Sequence, residues 1–339
     1  MARTGPPESR RPHPGRWPLA PSGPHPALSE PAAARASRRT TGSELRRLAP
    51  YHAYRAGSAL AQALPGPVAS GAAQVAAVVA GRLGRRRRAM ITRHLERIHG
   101  PSLRSRALEL EVDRAFASYG RYWMESFRLP SRAPYEFEAA MCYEGIGNLE
   151  AARAEGRGVL MAMPHLGAWD WGGAWLTSSG FPLTVVAESL EPPELSDWFA
   201  ELRHRMGMTV IPLDRHAGAA VIAALRRGEV LGLLSDRDLT GDGVEVEFFG
   251  EPTRLPAGPA TLALRTGAPL LVCCVLFEGD HHRGIVLPPL DTSRHGSLRE
   301  DVTRITQDVA HRLEGLIRRA PEQWHVFQPN WPSDPGYGR

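Results

Sequence analysis

The chain has 339 residues, of which 42% are hydrophobic and 23% charged, with a net charge of +5; that is ordinary for a globular protein and enough for a sizeable core. All 41 of its basic residues other than histidine are arginine, which excludes Schiff-base chemistry on lysine and the lysine of a phosphate-binding loop. Residues 1–42 hold seven arginines against two glutamates, a net of +5 that leaves zero for the rest, so a uniformly basic nucleic-acid-binding body is excluded too.

Residues 1–42 also carry nine prolines among Ser, Ala, Gly and Arg. They show no hydrophobic period and no apolar signal-peptide centre, and read as a disordered segment. Folding is expected to begin near Ser43, and residues 43–135 read as an N-terminal helical region. In it, Ser58–Leu64 ends at Pro65-Gly66-Pro67 and Val68–Leu83 is an apolar, small-residue helix. Arg85-Arg86-Arg87-Arg88 then opens a pattern carried by Met90, Ile91, Leu95 and Ile98, and a helix over 103–128 closes before Pro130. The segment from Val68 to Ile98 fits either core packing or a membrane-surface element whose arginines face lipid phosphates. No apolar run reaches the roughly 18–20 residues that span a bilayer.

From residue 136 to 332, short apolar runs alternate with helical patterns. The runs predict strands at 158–163, 183–187, 208–212, 230–234, 270–277 and 283–287. Helices are predicted at 148–155, 169–178, 194–206, 216–227, 256–266 and 297–319, with a short tail at 333–339. The alternation predicts an α/β fold with a mixed, mostly parallel central sheet flanked by helices, one domain with the helices that precede it. Cys142, Cys273 and Cys274 fall in segments that read as core. They form no paired framework, so neither disulfides nor a zinc site is indicated, which suits a reducing compartment.

Chemistry concentrates at two strand ends. The run Gly158–Met163 delivers Pro164-His165-Leu166-Gly167-Ala168-Trp169-Asp170. A histidine held there suits general-base work near neutral pH, and it equally suits a structural bond to a carbonyl. Asp170 fits an orienter of the imidazole or a carboxylate complementing a helix N-terminus. The run 230–234 delivers Ser235-Asp236-Arg237-Asp238. Asp236 and Asp238 fit metal ligands, a second orienter of His165, or salt-bridge partners of Arg237; the ligand set of a calcium loop is incomplete, and a metal is discounted. Glu251 and Arg254 stand on an expected loop ahead of a helix that starts after Pro256, a place for an anion or polar head group or a plain helix cap. Arg203 lies on an amphipathic helix, where a snorkelling arginine is the ordinary reading.

Together these stretches resemble the lysophospholipid acyltransferase-like superfamily, in the branch that holds the lipid A lauroyl/myristoyl acyltransferases and the phosphatidylinositol mannoside acyltransferases. The resemblance is carried by Tyr119-Gly120-Arg121-Tyr122-Trp123, Phe127–Pro130, Pro164–Asp170, Val186-Ala187-Glu188 and Asp236–Thr240. Gly243–Glu251, Pro256–Ala260 and Trp324–Trp331 complete it, over roughly 44–332. It implies transfer of a long acyl chain from acyl-CoA to a sugar hydroxyl of a glycolipid, with acyl-CoA as co-substrate and no other cofactor. His165 would be the base, with Asp170 and Asp236 orienting it. The mannoside branch carries a glutamate where this chain has Asp236. The same resemblance puts Arg203 beside substrate and makes Glu188, Arg237, Glu251 and Arg254 substrate-binding. It implies that the acceptor is met at the membrane surface; with no apolar signal-peptide centre, a protein peripheral to the cytoplasmic face of the cell membrane is expected, and the clustering of Arg85, Arg86, Arg87 and Arg88 beside an apolar segment puts them against an anionic lipid surface. Another lipid acceptor, or a non-catalytic lipid-binding protein on this scaffold, are the other readings. No Gly-x-Ser-x-Gly elbow of a hydrolase is present.

Overall fold

The computed structural model describes residues 41–100 and 105–338. The disorder expected for residues 1–42 therefore lies outside the described residues, apart from Thr41 and Gly42, which begin the first helix. Four helices open the fold: α1 (Thr41–Ala63), α2 (Gly66–Leu83), α3 (Arg85–His99) and α4 (Ser105–Arg128). Helix α1 begins close to the expected start near Ser43, ends before Pro65 and accommodates Pro50 inside it. Helices α2 and α4 approach closely at two glycines. A Cβ on Gly120 would lie 2.6 Å from the Ala73 carbonyl oxygen, and one on Gly81 would meet the Phe116 ring. Only residues without a side chain permit that backbone separation.

A short helix α5 (Pro134–Ala139) leads into the α/β part: β1 (Met141–Glu144), α6 (Ile146–Ala154), β2 (Val159–Met163), α7 (Trp169–Ser178), β3 (Leu183–Ala187), α8 (Pro193–Arg205), β4 (Thr209–Pro212), α9 (Ala217–Arg226) and β5 (Val230–Leu234). A hairpin of β6 (Val244–Phe248) and β7 (Glu251–Leu255) follows, then α10 (Gly258–Thr266), β8 (Leu270–Glu278), β9 (His281–Val286) and α11 (Leu298–Ile317). The seven-stranded sheet has the order β1-β9-β8-β2-β5-β3-β4. Only the β8–β9 pair is antiparallel, so the sheet is mixed and mostly parallel, as the alternation of elements predicts. Strand β2 sits at its centre, with Val159, Leu160 and Ala162 fully buried, which is why it reads as a continuous apolar run.

Two expectations are corrected here. The loop expected around Glu251 and Arg254 is the β6–β7 hairpin, paired from Val244↔Leu255 to Phe248↔Glu251. Its two-residue turn puts Phe249 at φ 51 and Gly250 at φ 75, the geometry that matches strand twist but is uncommon for an aromatic residue. Cys142, expected in the core, is exposed on edge strand β1. Cys273 and Cys274 are buried on β8, and burial pushes the Cys273 thiol up to about 12. Among the described residues no helix is long and apolar enough to cross a membrane.

Candidate active site

The pairing of β2 with β5 places the two chemical strand ends side by side. Met163 is in register with Leu234, and the Ser235 N–H continues the ladder to the Met163 carbonyl at 2.8 Å. His165 and Asp236 each lie two residues beyond those partners and meet at the carboxyl edge of the sheet, where open α/β sheets form their binding crevices. His165 Nδ1 is 2.7 Å from Asp236 Oδ1, and the His165 backbone N–H donates to Asp236 Oδ2 at 2.8 Å. The turn after His165 depends on Gly167 (φ 62), where any Cβ would collide with the Val275 carbonyl.

Asp236 is fully buried. Burial alone would raise its pKa, but the adjoining His165, the Trp324 indole N–H and the His165 backbone N–H together hold it below the usual carboxylate range. An ionised Asp236 accepts the Nδ1 proton, which leaves Nε2 as the lone-pair nitrogen of the imidazole. Nε2 has no partner among the described residues, and the ring lines a cavity of about 1070 Å³.

Asp170, expected to orient the imidazole, does not touch it. Its Oδ2 accepts the Tyr122 hydroxyl at 2.7 Å and its Oδ1 accepts Arg203 Nε at 3.1 Å. One carboxylate thus joins α7 to α4 and α8. Burial opposes the charge on Arg203, yet Asp170 and Tyr122 outweigh it and raise its pKa; burial first, then Asp170, push the Tyr122 phenol well above its usual value. Tyr122 stacks on Trp169 with ring centroids 3.9 Å apart, and Trp169 meets the His165 ring edge-on at 5.6 Å. Of the two carboxylates, Asp236 alone contacts the imidazole, and the Tyr122–Trp169 stack stands between it and Asp170.

The cavity has an apolar arm between α7 and the sheet, lined by Met161, Gly172, Trp175, Leu176, Leu183 and Met208. Arg203, Arg237, Asp238 and the exposed Glu188 line its more polar part. Arg237 forms no ion pair with Asp236 or Asp238 among the described residues; Asp238 instead accepts the N–H groups of Thr240, Gly241 and Gly243. Two expected substrate residues lie elsewhere. Glu251 binds Arg97 at 2.7 Å and Ser333 at 2.6 Å, and Arg254 is exposed with a bond to the Gly241 carbonyl, because β7 turns both away from the cavity lining. In the arginine cluster, Arg88 is paired with Asp113 at 2.6 Å, while Arg85, Arg86 and Arg87 are exposed.

Sequence reasoning assigned no role to Tyr122, Trp324, His325 or Asn330. Trp324 Nε1 donates to Asp236 Oδ2 at 2.7 Å, Asn330 Nδ2 to the Asp236 carbonyl at 3.0 Å, and the His325 N–H to the His165 carbonyl at 2.7 Å. The signal available was an aromatic-rich stretch, Trp324 to Trp331, beyond the last helix, where a plain tail would be polar.

Residues 40–333 match the family model of bacterial lipid A biosynthesis acyltransferases. The chain is 39% identical over 284 residues, 83% of its length and 91% of the relative's, to the phosphatidylinositol mannoside acyltransferase of Mycolicibacterium smegmatis. It is 42% identical over 222 residues, 64% of its length and 69% of the relative's, to a protein of the same name from Mycobacterium tuberculosis. A lipid A biosynthesis acyltransferase of Haemophilus influenzae is 21% identical over 217 residues, 64% of this chain and 67% of that one. The chain belongs to the bacterial lipid A biosynthesis acyltransferase family.

Proposed function

We propose that this member of the family transfers a long acyl chain from acyl-CoA to a sugar hydroxyl of a phosphatidylinositol mannoside. The observation that carries the reading is the His165–Asp236 pair, open at Nε2 onto a large cavity with an apolar arm. Nε2 removes the proton from the sugar hydroxyl, and the oxygen attacks the thioester carbonyl. The C–O bond forms, the C–S bond breaks, and the thiolate of coenzyme A leaves with the proton carried by His165. Asp236 stabilises the imidazolium between those events. The acyl chain occupies the arm beneath α7, and Arg203, Arg237 and Glu188 meet the polar parts of donor and acceptor. The names of the two mycobacterial relatives support the choice of acceptor.

The acceptor is met at a membrane surface. Helix α2 exposes Val68, Val75, Val79 and Leu83, each more than half accessible. Their spacing forms one stripe, and no charged residue interrupts residues 66–81. Arg85, Arg86 and Arg87 stand beside the end of that stripe, the arrangement of an interfacial helix on anionic lipid. Replacing those three with glutamine is expected to lower co-sedimentation with anionic liposomes, most at low salt; unchanged sedimentation would move the membrane face elsewhere.

The deciding experiment incubates the full chain with labelled palmitoyl-CoA, or palmitoyl carried on an acyl carrier protein, and a panel of lipid acceptors. Transfer to the mannoside from palmitoyl-CoA is expected, with a loss of about 10²–10⁴-fold or more in a folded His165→Ala variant. Preference for the carrier protein corrects the donor, and transfer to a lysophospholipid corrects the acceptor. No transfer by the parent, or near-native turnover in the variant, overturns the mechanism.

A further inference from the structure

We propose that Trp324 is a positioning residue for this reaction: its indole N–H locks the rotation of the Asp236 carboxylate so that one oxygen is reserved for the imidazole. The proposal rests on the acyl-transfer reading and assigns a role to a residue outside the imidazole–carboxylate pair.

An aspartate side chain turns readily about its last bond, since that torsion is broad and nearly two-fold. Asp236 has no such freedom. Oδ2 accepts two N–H groups, from the His165 backbone at 2.8 Å and from Trp324 Nε1 at 2.7 Å. Oδ1 is left to His165 Nδ1 at 2.7 Å. At 0% exposure the carboxylate has no solvent to replace a lost donor. Trp324 is itself 2% exposed and packed among His94, Phe248, Phe249 and Trp331. A phenylalanine would serve that packing; the N–H aimed at a charged oxygen is what packing does not require.

The segment bearing Trp324 grips the backbone of both partners as well. Gln323 accepts the Gly167 N–H at 2.9 Å, and His325 donates to the His165 carbonyl at 2.7 Å. Asn330 holds the Asp236 carbonyl at 3.0 Å. The segment is pinned in turn. The Gln323 side chain binds both the N–H and the carbonyl of Phe277, and the buried Asp334 accepts the N–H groups of Asn330 and Trp331. The imidazole and carboxylate are thus set before substrate arrives, as transition-state stabilisation by fixed dipoles requires.

The test replaces Trp324 with β-(3-benzothienyl)alanine, which keeps the bicyclic shape and lacks the N–H, alongside Trp324→Phe. With palmitoyl-CoA and a phosphatidylinositol mannoside, kcat is expected to fall about ten- to a hundredfold, the worth of a bond to a charged group. The KM for palmitoyl-CoA should stay within about twofold, since the carboxylate touches no part of the donor. With one donor gone, Asp236 presents more negative charge to the imidazole. The acid limb of kcat/KM therefore moves to higher pH, as does the titration of the His165 ring signals followed by NMR. The neighbouring groups leave that limb clear. Burial holds His325 at about 3 and lowers His94, Tyr122 lies well above its usual value, and Asp170 is paired with Arg203. An unmoved NMR titration in the folded benzothienyl variant overturns the proposal, whether or not the parent transfers acyl groups. Absence of transfer in the parent, with the titration shifted, overturns only the functional reading.

Discussion

Two buried carboxylates stand on opposite sides of one aromatic wall, and they are held in different ways. Asp236 is held by neutral N–H donors and spends its charge on His165. Asp170 is held by a phenol and a guanidinium, and spends its charge joining α7 to α4 and α8. A carboxylate already matched to a cation has little field left for an imidazole. One surrounded by neutral donors stays a strong partner. The run from His165 to Asp170 puts an aspartate five residues after the histidine but does not say which aspartate touches it.

The contrast is broken or sharpened first at Asp236. Asp236→Asn should lower kcat by about 10²–10⁴-fold with little change in acyl-donor affinity, because an amide cannot stabilise the imidazolium. A steady-state comparison of kcat and KM checks it, and a loss confined to KM would make Asp236 a binding residue.

Asp170→Asn is expected to act on stability and substrate affinity more than on turnover. The half-buried Arg203 loses its counter-charge, at a cost of about 1–3 kcal/mol in denaturant unfolding, with a raised KM. A fall in kcat matching that of Asp236→Asn would erase the distinction between the two.

Protonation of the segment behind His165 is expected to cost about 2 kcal/mol of stability in mild acid. His325 is pushed down to about 3 by burial first and then by His165. Between about pH 6.5 and 3 the unfolded chain therefore binds a proton that the folded one does not, and stability rises with pH across that window. At pH 5, about 1.5 units below the ordinary histidine value, this amounts to about 2 kcal/mol relative to neutral pH. His325→Gln should remove that share of the slope in urea unfolding at pH 7 and pH 5. The depressed Asp236 runs the other way at lower pH: its stabilisation is present above the unfolded carboxylate value and is lost as pH falls through the folded one.

The smallest effect is expected at Tyr122→Phe. Asp170 keeps Arg203 and loses one hydrogen bond, about 1 kcal/mol, with the stacking on Trp169 intact. Thermal unfolding checks it. A loss of activity as large as that of Asp236→Asn would show the phenol acting on the reaction itself.

The sheet and the imidazole were legible because β2 and β5 are unbroken apolar runs that end in polar residues, and that pattern is local. From the residues alone the meeting of His165 with Asp236 was legible as one alternative, since parallel register is fixed by neighbouring strands, and the family resemblance implied it. Asp170 was legible as a carboxylate in the first turn of α7, but its bonds to Tyr122 and Arg203 were not, because those partners come from helices 48 and 33 residues away, with no shared period. The hairpin was missed because Phe249 occupies a left-handed turn position where Asn or Asp would announce the turn. Trp324 acts across 88 residues from a segment without regular structure, so its role was visible only in three dimensions.

The register that unites His165 with Asp236 also sets how this protein tolerates changes in length. Adding one residue between Val159 and His165 would carry the imidazole about 3.3 Å along the strand and turn successive side chains to the other face. The same insertion at Gly156, where the chain turns outside the sheet and open space surrounds the backbone, would be absorbed before β2 begins. Two changes of equal size a few residues apart would thus have opposite fates. Length variation in this chain is expected to gather in the turns entering β2 and β5 and to be absent between each strand and the side chain it delivers.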